Sequence, residues 1–334
     1  MTTAEAGVLR RPFGRTGLSV SEIGFGGWGI GKSMWGRTDD AESLRALHAA
    51  LDCGINYFDT AFAYGHGHSE KLIAKLLKDA RRAEIVVSTK IPPKNMQWPA
   101  RPMTPLSLAF PPGWIVRCVE RSLRNLGAAA LQLEQFHVWT DAWLKDPAWP
   151  EVRETIARLK KEGKILHFGA SLNSDDPESG LKLVGSGFVD QIQVLFNLFD
   201  QRAADRLFPL CREKGVAVVV RCPFDEGGLT GALTPDIRFE PEDFRSYYFA
   251  GERLMETCRR VQALKSAALG PKASDLITAA LKYCLSFPSV STVIPGMRRT
   301  AHVLQNAAAS DGSYYGDREL KALAEHRWVR DFYR

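Results

Sequence analysis

Four residues of the sequence have side chains that together could move a proton: Asp59, Tyr64, Lys90 and His137. Each stands at, or shortly after, the C-terminal end of a short apolar segment, namely residues 55–59, 84–90 and 131–137. If these segments are neighbouring parallel strands about 4.8 Å apart, the four side chains converge at one mouth of the sheet. A phenol placed among an ammonium, a carboxylate and an imidazole can donate a proton to a developing alkoxide. The pattern therefore predicts carbonyl reduction, or the reverse reaction.

The four side chains suit different parts of such a reaction. An unperturbed tyrosine has a pKa of about 10, and we expect the ammonium of Lys90 to lower the pKa of Tyr64. Asp59 would keep that ammonium charged and oriented, while His137 would hydrogen-bond the carbonyl oxygen. Each residue alone also has a structural interpretation, such as Asp59 capping a helix. Their positions at three successive strand ends favour a shared role in catalysis.

Short β-rich segments alternate with amphipathic helical segments along most of the sequence. Eight strands, each followed by a helix, predict an α/β fold of the (β/α)8 TIM barrel type, with residues 1–334 forming a single domain. The predicted strands are residues 22–25, 55–58, 85–89, 131–137, 165–169, 190–195, 216–221 and 291–294. The predicted helices are residues 41–53, 69–79, 112–126, 150–162, 178–184, 203–214, 272–286 and 300–309.

Three segments exceed what a simple barrel needs, which is typically about 250 residues. Residues 8–21 contain Gly14 and Gly17 between two short runs, which predicts an N-terminal β-hairpin capping the bottom of the barrel. Residues 91–112 are rich in proline and predict a long loop, and residues 223–270 form a second insertion with a helix near 252–268. Because loops at the C-terminal face shape the mouth of a barrel, we expect these two insertions to border the site.

Composition excludes several other classes of protein. The 334 residues are 45% hydrophobic and 25% charged, as in globular proteins, and no stretch approaches the length of a membrane span. The net charge of +6 comes without basic runs interleaved with aromatic residues, so we expect no nucleic-acid partner. The six cysteines are scattered and the N-terminus lacks an apolar leader, so we expect reduced thiols, no metal site and a cytoplasmic location.

Phosphate binding is predicted near the end of the eighth strand. A barrel holds phosphate in the loops after its last two strands and at a helix N-terminus, whereas the glycines of residues 24–31 match the Rossmann fingerprint only weakly. Residues 294–300 suit this role, because Gly296 allows close approach of the backbone and Arg298 could pair with a 2′-phosphate.

The segment GINYFDTAFAYGHGHSEKLIAKLL resembles the signature of the aldo-keto reductase family. The segments FGRTGLSVSEIGFGGWGIG, VVSTK, LQLEQFHVW and STVIPGMRRTAHVLQNAAA are similar to further family motifs in the same order, so the resemblance runs from about residue 10 to residue 310. The signature is matched at Gly54, Asp59, Thr60, Ala61, Tyr64, Gly65, Ser69 and Glu70.

This resemblance implies reduction of an aldehyde or ketone to an alcohol by hydride transfer from NADPH, without a metal and with Tyr64 as general acid. It places Ser171 and Gln193 at the nicotinamide carboxamide and Asn306 at the adenine. A small-molecule carbonyl substrate and a homo-oligomeric assembly are compatible with it, and an NADPH-binding redox sensor or regulatory subunit with slow turnover is the alternative. The implied cofactor-binding set is Gly26, Gly27, Trp28, Asp59, Ser171, Gln193, Arg221, Pro223, Phe224, Gly296, Met297, Arg298, His302 and Asn306.

Three positions depart from the family pattern. The usual serine–asparagine pair is interrupted by Leu172, and His302 stands where a glutamine is expected. Arg221 occupies the position of an aromatic ring that stacks on the nicotinamide. Its guanidinium could stack there instead, or it could reach a substrate carboxylate or a cofactor phosphate.

An aromatic, apolar substrate pocket is predicted from Trp28, Trp35, Phe62, Trp98, Trp139 and Phe224.

Overall fold

The computed structural model describes residues 7–32, 34–36, 38–79 and 85–333. Eight parallel strands follow one another around a sheet in chain order, and bridges from Ile23 to Val293 and from Gly26 to Gly296 join the first strand to the last. The predicted (β/α)8 barrel is thereby confirmed. Its strands are β3 (Phe25–Gly26), β4 (Tyr57–Asp59), β5 (Val86–Ile91), β6 (Leu131–Phe136), β7 (Ile165–Ser171), β8 (Gln191–Leu195), β9 (Ala217–Arg221) and β10 (Val290–Ile294).

The predicted N-terminal hairpin is also present. Strand β1 (Arg10–Pro12) pairs antiparallel with β2 (Ser19–Ser21), and the side chain of Phe13 is fully buried between them and the barrel. Phe13 packs with Tyr57, Val86 and Leu133 in a cluster inside the lower barrel. Full burial of a phenylalanine contributes about 1.5–3 kcal/mol, so the hairpin closes this end of the barrel as an apolar plug.

The helices surround the strands, and each predicted helix overlaps an observed one. Three short helices are not predicted by the sequence: α3 (Leu106–Ala109), α8 (Phe244–Tyr248) and α12 (Asp317–Ala324). The first of them lies within residues 91–112, which are predicted to form a long loop. The helices are α1 (Asp40–Asp52), α2 (His68–Asp79), α3 (Leu106–Ala109), α4 (Pro112–Leu126), α5 (Trp149–Lys161), α6 (Leu181–Gly185), α7 (Leu207–Lys214), α8 (Phe244–Tyr248), α9 (Arg253–Ala268), α10 (Leu276–Leu285), α11 (Thr300–Ala307) and α12 (Asp317–Ala324).

Helix α4 shows how the sequence forms these outer elements. Pro112 occupies the first turn, where its missing N–H costs nothing, and Gly127 ends the helix at a φ of 59°, in the left-handed region. Between these ends Ile115, Val119 and Leu126 are buried on one face, at helical spacing. That face packs against the outside of β5 and β6, which bear Lys90 and precede His137.

The seam between the first and last strands fixes the position of Asp59. Gly26 donates its backbone N–H to Pro295 O at 3.0 Å, and Gly27 donates to Asp59 O at 2.8 Å. A Cβ atom on Gly27 would lie 2.6 Å from Asp59 O, so only glycine permits this approach. The first strand is shorter than predicted, because residues 22–24 bond to β10 instead of β4. No helix in the described part of the chain is long and apolar enough to cross a membrane.

Candidate active site

The ends of three neighbouring strands bring the four predicted catalytic residues together. Asp59 ends β4, Lys90 is the penultimate residue of β5, and His137 directly follows β6. Tyr64 lies in the turn between β4 and α2, and its ring centroid is 5.7 Å from that of His137. All four side chains are buried or half-buried at the C-terminal mouth of the barrel.

The ammonium group of Lys90 is the centre of this cluster. Its Nζ donates to Asp59 Oδ2 at 2.5 Å, to the backbone oxygen of Thr60 at 2.7 Å and to the Tyr64 hydroxyl at 3.2 Å. A lysine ammonium has three donors, and each one has an acceptor here. Because Tyr64 accepts this hydrogen bond, its own O–H hydrogen is left to point elsewhere. The carbonyl of Thr60 was not predicted as a partner, since a backbone oxygen leaves no signal in the sequence.

Burial controls the protonation state of Tyr64. Desolvation raises the pKa of Tyr64 well above its usual range, and the negative charge of Asp59 raises it further. The expected lowering of this pKa by Lys90 is therefore wrong for this arrangement. The physical reason is that Lys90 is fully buried and its charge is largely offset by Asp59, 2.5 Å away. Tyr64 thus keeps its proton in the resting site.

Desolvation also perturbs the other three groups. It raises the pKa of Asp59, although the charges of Lys90 and Arg221 act in the opposite direction. It lowers the pKa of Lys90, against the opposing effect of Asp59. The pKa of His137 falls well below its usual range, first through desolvation and then through the charges of Lys90 and Arg221. His137 is therefore a neutral imidazole near neutral pH, and its buried Nδ1 has no hydrogen-bond partner among the described residues.

The residues predicted at the nicotinamide carboxamide lie beside Asp59. Ser171 ends β7 and is paired in register with Gln193 of β8. Gln193 Nε2 donates to Asp59 Oδ1 at 2.7 Å, so this amide supports the carboxylate of Asp59 directly. Asn173 is engaged elsewhere: its amide accepts from Ala100 N and donates to Ala100 O, both at 2.9 Å. Asn173 thus holds the loop after β5, a role that the sequence did not suggest.

Arg221 lies at the end of β9, next to these strand ends. Its Nη2 donates to Leu172 O at 3.1 Å and to Ser174 Oγ at 2.9 Å, and its Nη1 donates to Cys222 Sγ at 3.4 Å. These partners are electrically neutral oxygen and sulfur atoms. The guanidinium is half-buried and close enough to the catalytic cluster for its charge to influence Asp59.

The predicted phosphate region follows β10. Gly296 is exposed, with open space where a Cβ atom would stand, and no side chain caps the N-terminus of α11. Arg298 Nη1 donates to Trp35 O at 2.6 Å, while His302 Nδ1 accepts from Arg298 N at 3.4 Å. Asn306 is 3% exposed, and its Nδ2 has no partner in the described part of the chain. An uncapped helix end, a half-buried arginine and an unpaired amide suit a phosphate-bearing nucleotide.

The other predicted cofactor contacts differ in accessibility. Trp28 is half-buried, and its ring is stacked on Tyr64 with centroids 6.2 Å apart. Pro223 and Phe224 lie in the turn after β9, where Phe224 packs against the main hydrophobic cluster. Met297 is fully buried, so its side chain is not accessible to a ligand. Gly26 and Gly27 close the barrel seam described above.

The predicted aromatic pocket is only partly present. Trp28 and Trp35 contact each other beside Tyr64, with ring centroids 5.2 Å apart, and Trp98 contacts His137 at 5.8 Å. The prediction that Trp139 lines this pocket is wrong, because its side chain is fully buried with Phe136 in the hydrophobic core. Phe62, 8% exposed, and Phe224 also belong mainly to packing.

In the segments that the structure describes, no cluster of three histidine, cysteine, aspartate or glutamate side chains could hold a metal ion. The site has instead a protonated phenol, a buried ion pair and a neutral imidazole around one mouth. Such groups can bind a carbonyl oxygen and deliver a proton to it.

The barrel and its four polar groups define the class of barrel-fold oxidoreductases that act on carbonyl compounds. The model of the Aldo/keto reductase family matches residues 22–327, and the chain belongs to this family.

Known proteins are similar to most of this chain in sequence and in structure. The aldo-keto reductase YhdN of Bacillus subtilis (strain 168) is 31% identical over 291 residues, which cover 85% of this chain and 83% of YhdN. The NADH-specific methylglyoxal reductase of Escherichia coli (strain K12) is 28% identical over 320 residues, covering 89% of this chain and 92% of the relative. The holo form of aldo-keto reductase AKR11C1 from Bacillus halodurans has a TM-score of 0.74 at 27% identity, with 97% of each chain covered.

Proposed function

We propose that the protein is an NADPH-dependent reductase that converts an aldehyde or ketone into an alcohol, with Tyr64 as general acid. The observation that carries this proposal is the hydrogen bonding of Lys90. Its three donors are satisfied by Asp59, Thr60 and the Tyr64 oxygen, so the Tyr64 hydrogen is available to a substrate.

Each residue then has a defined task. Tyr64 donates its proton to the substrate oxygen, and the adjacent Lys90 ammonium stabilises the phenolate that remains. Neutral His137 donates a hydrogen bond to the same oxygen and orients the carbonyl group. Asp59 holds Lys90 in place and is itself held by Gln193. A bound reduced nicotinamide would supply the hydride.

The choice of NADPH depends on Arg298. A guanidinium suits the 2′-phosphate of NADPH better than the free hydroxyl of NADH, and Arg298 lies beside the uncapped end of α11. The NADH-specific methylglyoxal reductase of Escherichia coli is the contrasting case among the relatives. The ratio of kcat/KM for NADPH to that for NADH should exceed one, and a preference for NADH would contradict the proposal.

The residues around Tyr64 and His137 indicate the kind of substrate. Trp28 and Trp98 border Tyr64 and His137, which favours a small carbonyl compound with an apolar or aromatic group.

We also propose a cytoplasmic location, supported by six cysteines that are all free thiols, as is typical of reducing compartments.

Replacement of Tyr64 by phenylalanine tests the assignment. Since general acid catalysis contributes about 10²–10⁴-fold, Tyr64→Phe should lower kcat for aldehyde reduction by that factor while leaving the Kd for NADPH within about twofold. Turnover is followed by NADPH oxidation with a panel of aliphatic and aromatic aldehydes, and binding by NADPH fluorescence.

Tyr247→Phe is the matched control, because Tyr247 is 47% exposed on α8, outside the site. Near-normal turnover in Tyr64→Phe would disprove the role of Tyr64. Tight NADPH binding by the wild-type protein without turnover of any carbonyl compound would instead identify a sensor or regulatory subunit.

A further inference from the structure

Arg221 introduces a positive charge at the C-terminal end of the barrel strands. In the part of the chain that the structure describes, the three groups that accept its hydrogen bonds are Leu172 O, Ser174 Oγ and Cys222 Sγ, and none of them is a carboxylate. An arginine side chain stays protonated in proteins, so the charge is permanent.

The other ionisable groups of the mouth are paired, hydrogen-bonded or neutral. The carboxylate of Asp59 is paired with Lys90 at 2.5 Å, and His137 is neutral. Glu226 lies beyond Cys222, where its Oε1 accepts hydrogen bonds from the Tyr333 hydroxyl and from Cys222 Sγ at 3.2 Å. Burial raises the pKa of Glu226, whereas the charge of Arg221 lowers it, so the two groups interact across the thiol of Cys222. Arg221 therefore faces Glu226 across the thiol of Cys222 and has no direct carboxylate partner among the described residues.

This charge stands where the ring of a nicotinamide is expected. Arg221 is in register with Leu195 at the end of β8, and its guanidinium spans the end of β7 through Leu172 O and Ser174. Ser171 ends β7 and Gln193 lies two residues before the end of β8, and both are predicted carboxamide contacts. The charge of Arg221 also acts on Asp59 and His137, so its electric field reaches the predicted catalytic residues.

We propose that Arg221 makes the site discriminate between the two redox states of the nicotinamide, favouring the neutral reduced ring over the cationic oxidised ring. This inference rests on the proposed function, because it requires a nicotinamide cofactor in the barrel mouth. The oxidised ring bears a positive charge that the reduced ring lacks, and a half-buried guanidinium repels it in a medium of low dielectric constant.

The repulsion has a consequence for turnover. The reduced cofactor binds and is retained, whereas the oxidised cofactor formed by hydride transfer is bound less tightly and leaves sooner. Where release of the oxidised cofactor limits the rate, this asymmetry speeds turnover in the direction of carbonyl reduction. The same repulsion makes hydride loss from the bound reduced ring less favourable, and it leaves the overall equilibrium unchanged.

Binding measurements on the full-length protein test the proposal. The Kd values of NADPH, by fluorescence, and of NADP+, by competition, are compared for the wild type, Arg221→Met and Arg221→Lys. Methionine keeps much of the apolar length and removes the charge, while lysine keeps the charge and loses the planar guanidinium. The ratio of the Kd for NADP+ to that for NADPH should fall at least about tenfold in Arg221→Met, as for unit charges no more than about 10 Å apart in an effective dielectric constant of about 20. Arg221→Lys should retain most of the wild-type ratio.

The outcomes separate this inference from the proposed function. If Arg221→Met and Arg221→Lys weaken both cofactors equally, Arg221 acts through contacts and not through charge, and the inference is wrong. If Arg221→Met binds both cofactors normally with an unchanged ratio, the inference is also wrong, while the proposed function stands. A wild-type protein that binds neither cofactor would refute the proposed function together with the inference. Thermal unfolding of each variant identifies a general loss of fold, in which case Arg221→Lys and Arg221→Gln supply the comparison.

Discussion

At the level of single residues, the chemistry of this site depends on how Lys90 distributes its three hydrogen atoms. The rule that polar residues at the ends of parallel strands converge was enough to predict the meeting of Asp59, Lys90 and His137. The rule gives no information about desolvation, and desolvation determines the direction of every pKa shift in the group. The pKa of Tyr64 was therefore predicted in the wrong direction even though its neighbours were predicted correctly.

The neutral state of His137 predicts how stability responds to acid. In the unfolded chain a histidine has a pKa near 6.5, whereas the pKa of folded His137 is far lower. Below about pH 6.5 the unfolded state binds one proton that the folded state does not, so stability falls as the pH falls. The contribution is up to about 1.4 kcal/mol per pH unit until the folded pKa is reached. Urea unfolding at pH 7, 6 and 5 should show this loss in the wild type and a shallower loss in His137→Asn.

The control for this titration is His66→Asn, since His66 is exposed and its positive φ of 54° is tolerated by asparagine. The control should follow the wild-type pH dependence. If His137→Asn and the wild type lost stability in parallel, the assignment of a neutral His137 would be incorrect.

At the level of elements, periodicity predicted all the long helices but not α3, α8 and α12. Helix α4 has fifteen residues with a continuous buried face, which gives a clear pattern. Helices α3 and α8 have four and five residues, about one turn each, so no period can be read from them. The loop after β5 shows a further limit, because Asn173 fixes it from a position 73 residues away.

The clamp between Asn173 and Ala100 predicts a local effect. Ala100 is 5% exposed, so Asn173→Ala would leave its N–H and C=O groups buried without partners, at about 1–3 kcal/mol each. The free energy of unfolding should fall by about 2–6 kcal/mol. Hydrogen exchange should accelerate in residues 96–104, and KM for benzaldehyde should rise because Trp98 borders His137.

A matched substitution in the same loop controls for the loss of an asparagine. Asn95 accepts an exposed hydrogen bond from Gln97 N at 3.2 Å, so Asn95→Ala should cost less than about 1 kcal/mol and leave exchange at Ala100 unchanged. Equal exchange rates for residues 96–104 in Asn173→Ala and the wild type would show that the clamp does not hold this loop.

At the level of the whole molecule, the C-terminal segment of residues 328–333 joins the insertion after β9 to the barrel. Arg330 forms an ion pair with Asp225, and the hydroxyl of Tyr333 donates to Glu226. The aromatic ring of Phe332 contacts Tyr248 of α8, with centroids 5.4 Å apart. These contacts link residues about a hundred positions apart in the sequence and follow no repeating pattern, so sequence reasoning did not find them.

The ion pair between Arg330 and Asp225 should dominate the energetics of this connection. Its side chains are 7% and 2% exposed, and removing one partner leaves a buried charge, which typically costs about 3–5 kcal/mol. Arg330→Met keeps apolar contact with Trp328, whose ring centroid lies 4.3 Å from the guanidinium carbon, so the main loss is the charge. Chemical denaturation should therefore show a loss of about 3 kcal/mol. The exposed pair of Arg327 and Asp205, with side chains 35% and 51% exposed, provides the comparison: Arg327→Met should cost less than about 1 kcal/mol. Equal losses in the two variants would mean that the C-terminal segment is held by its aromatic contacts and not by the buried ion pair.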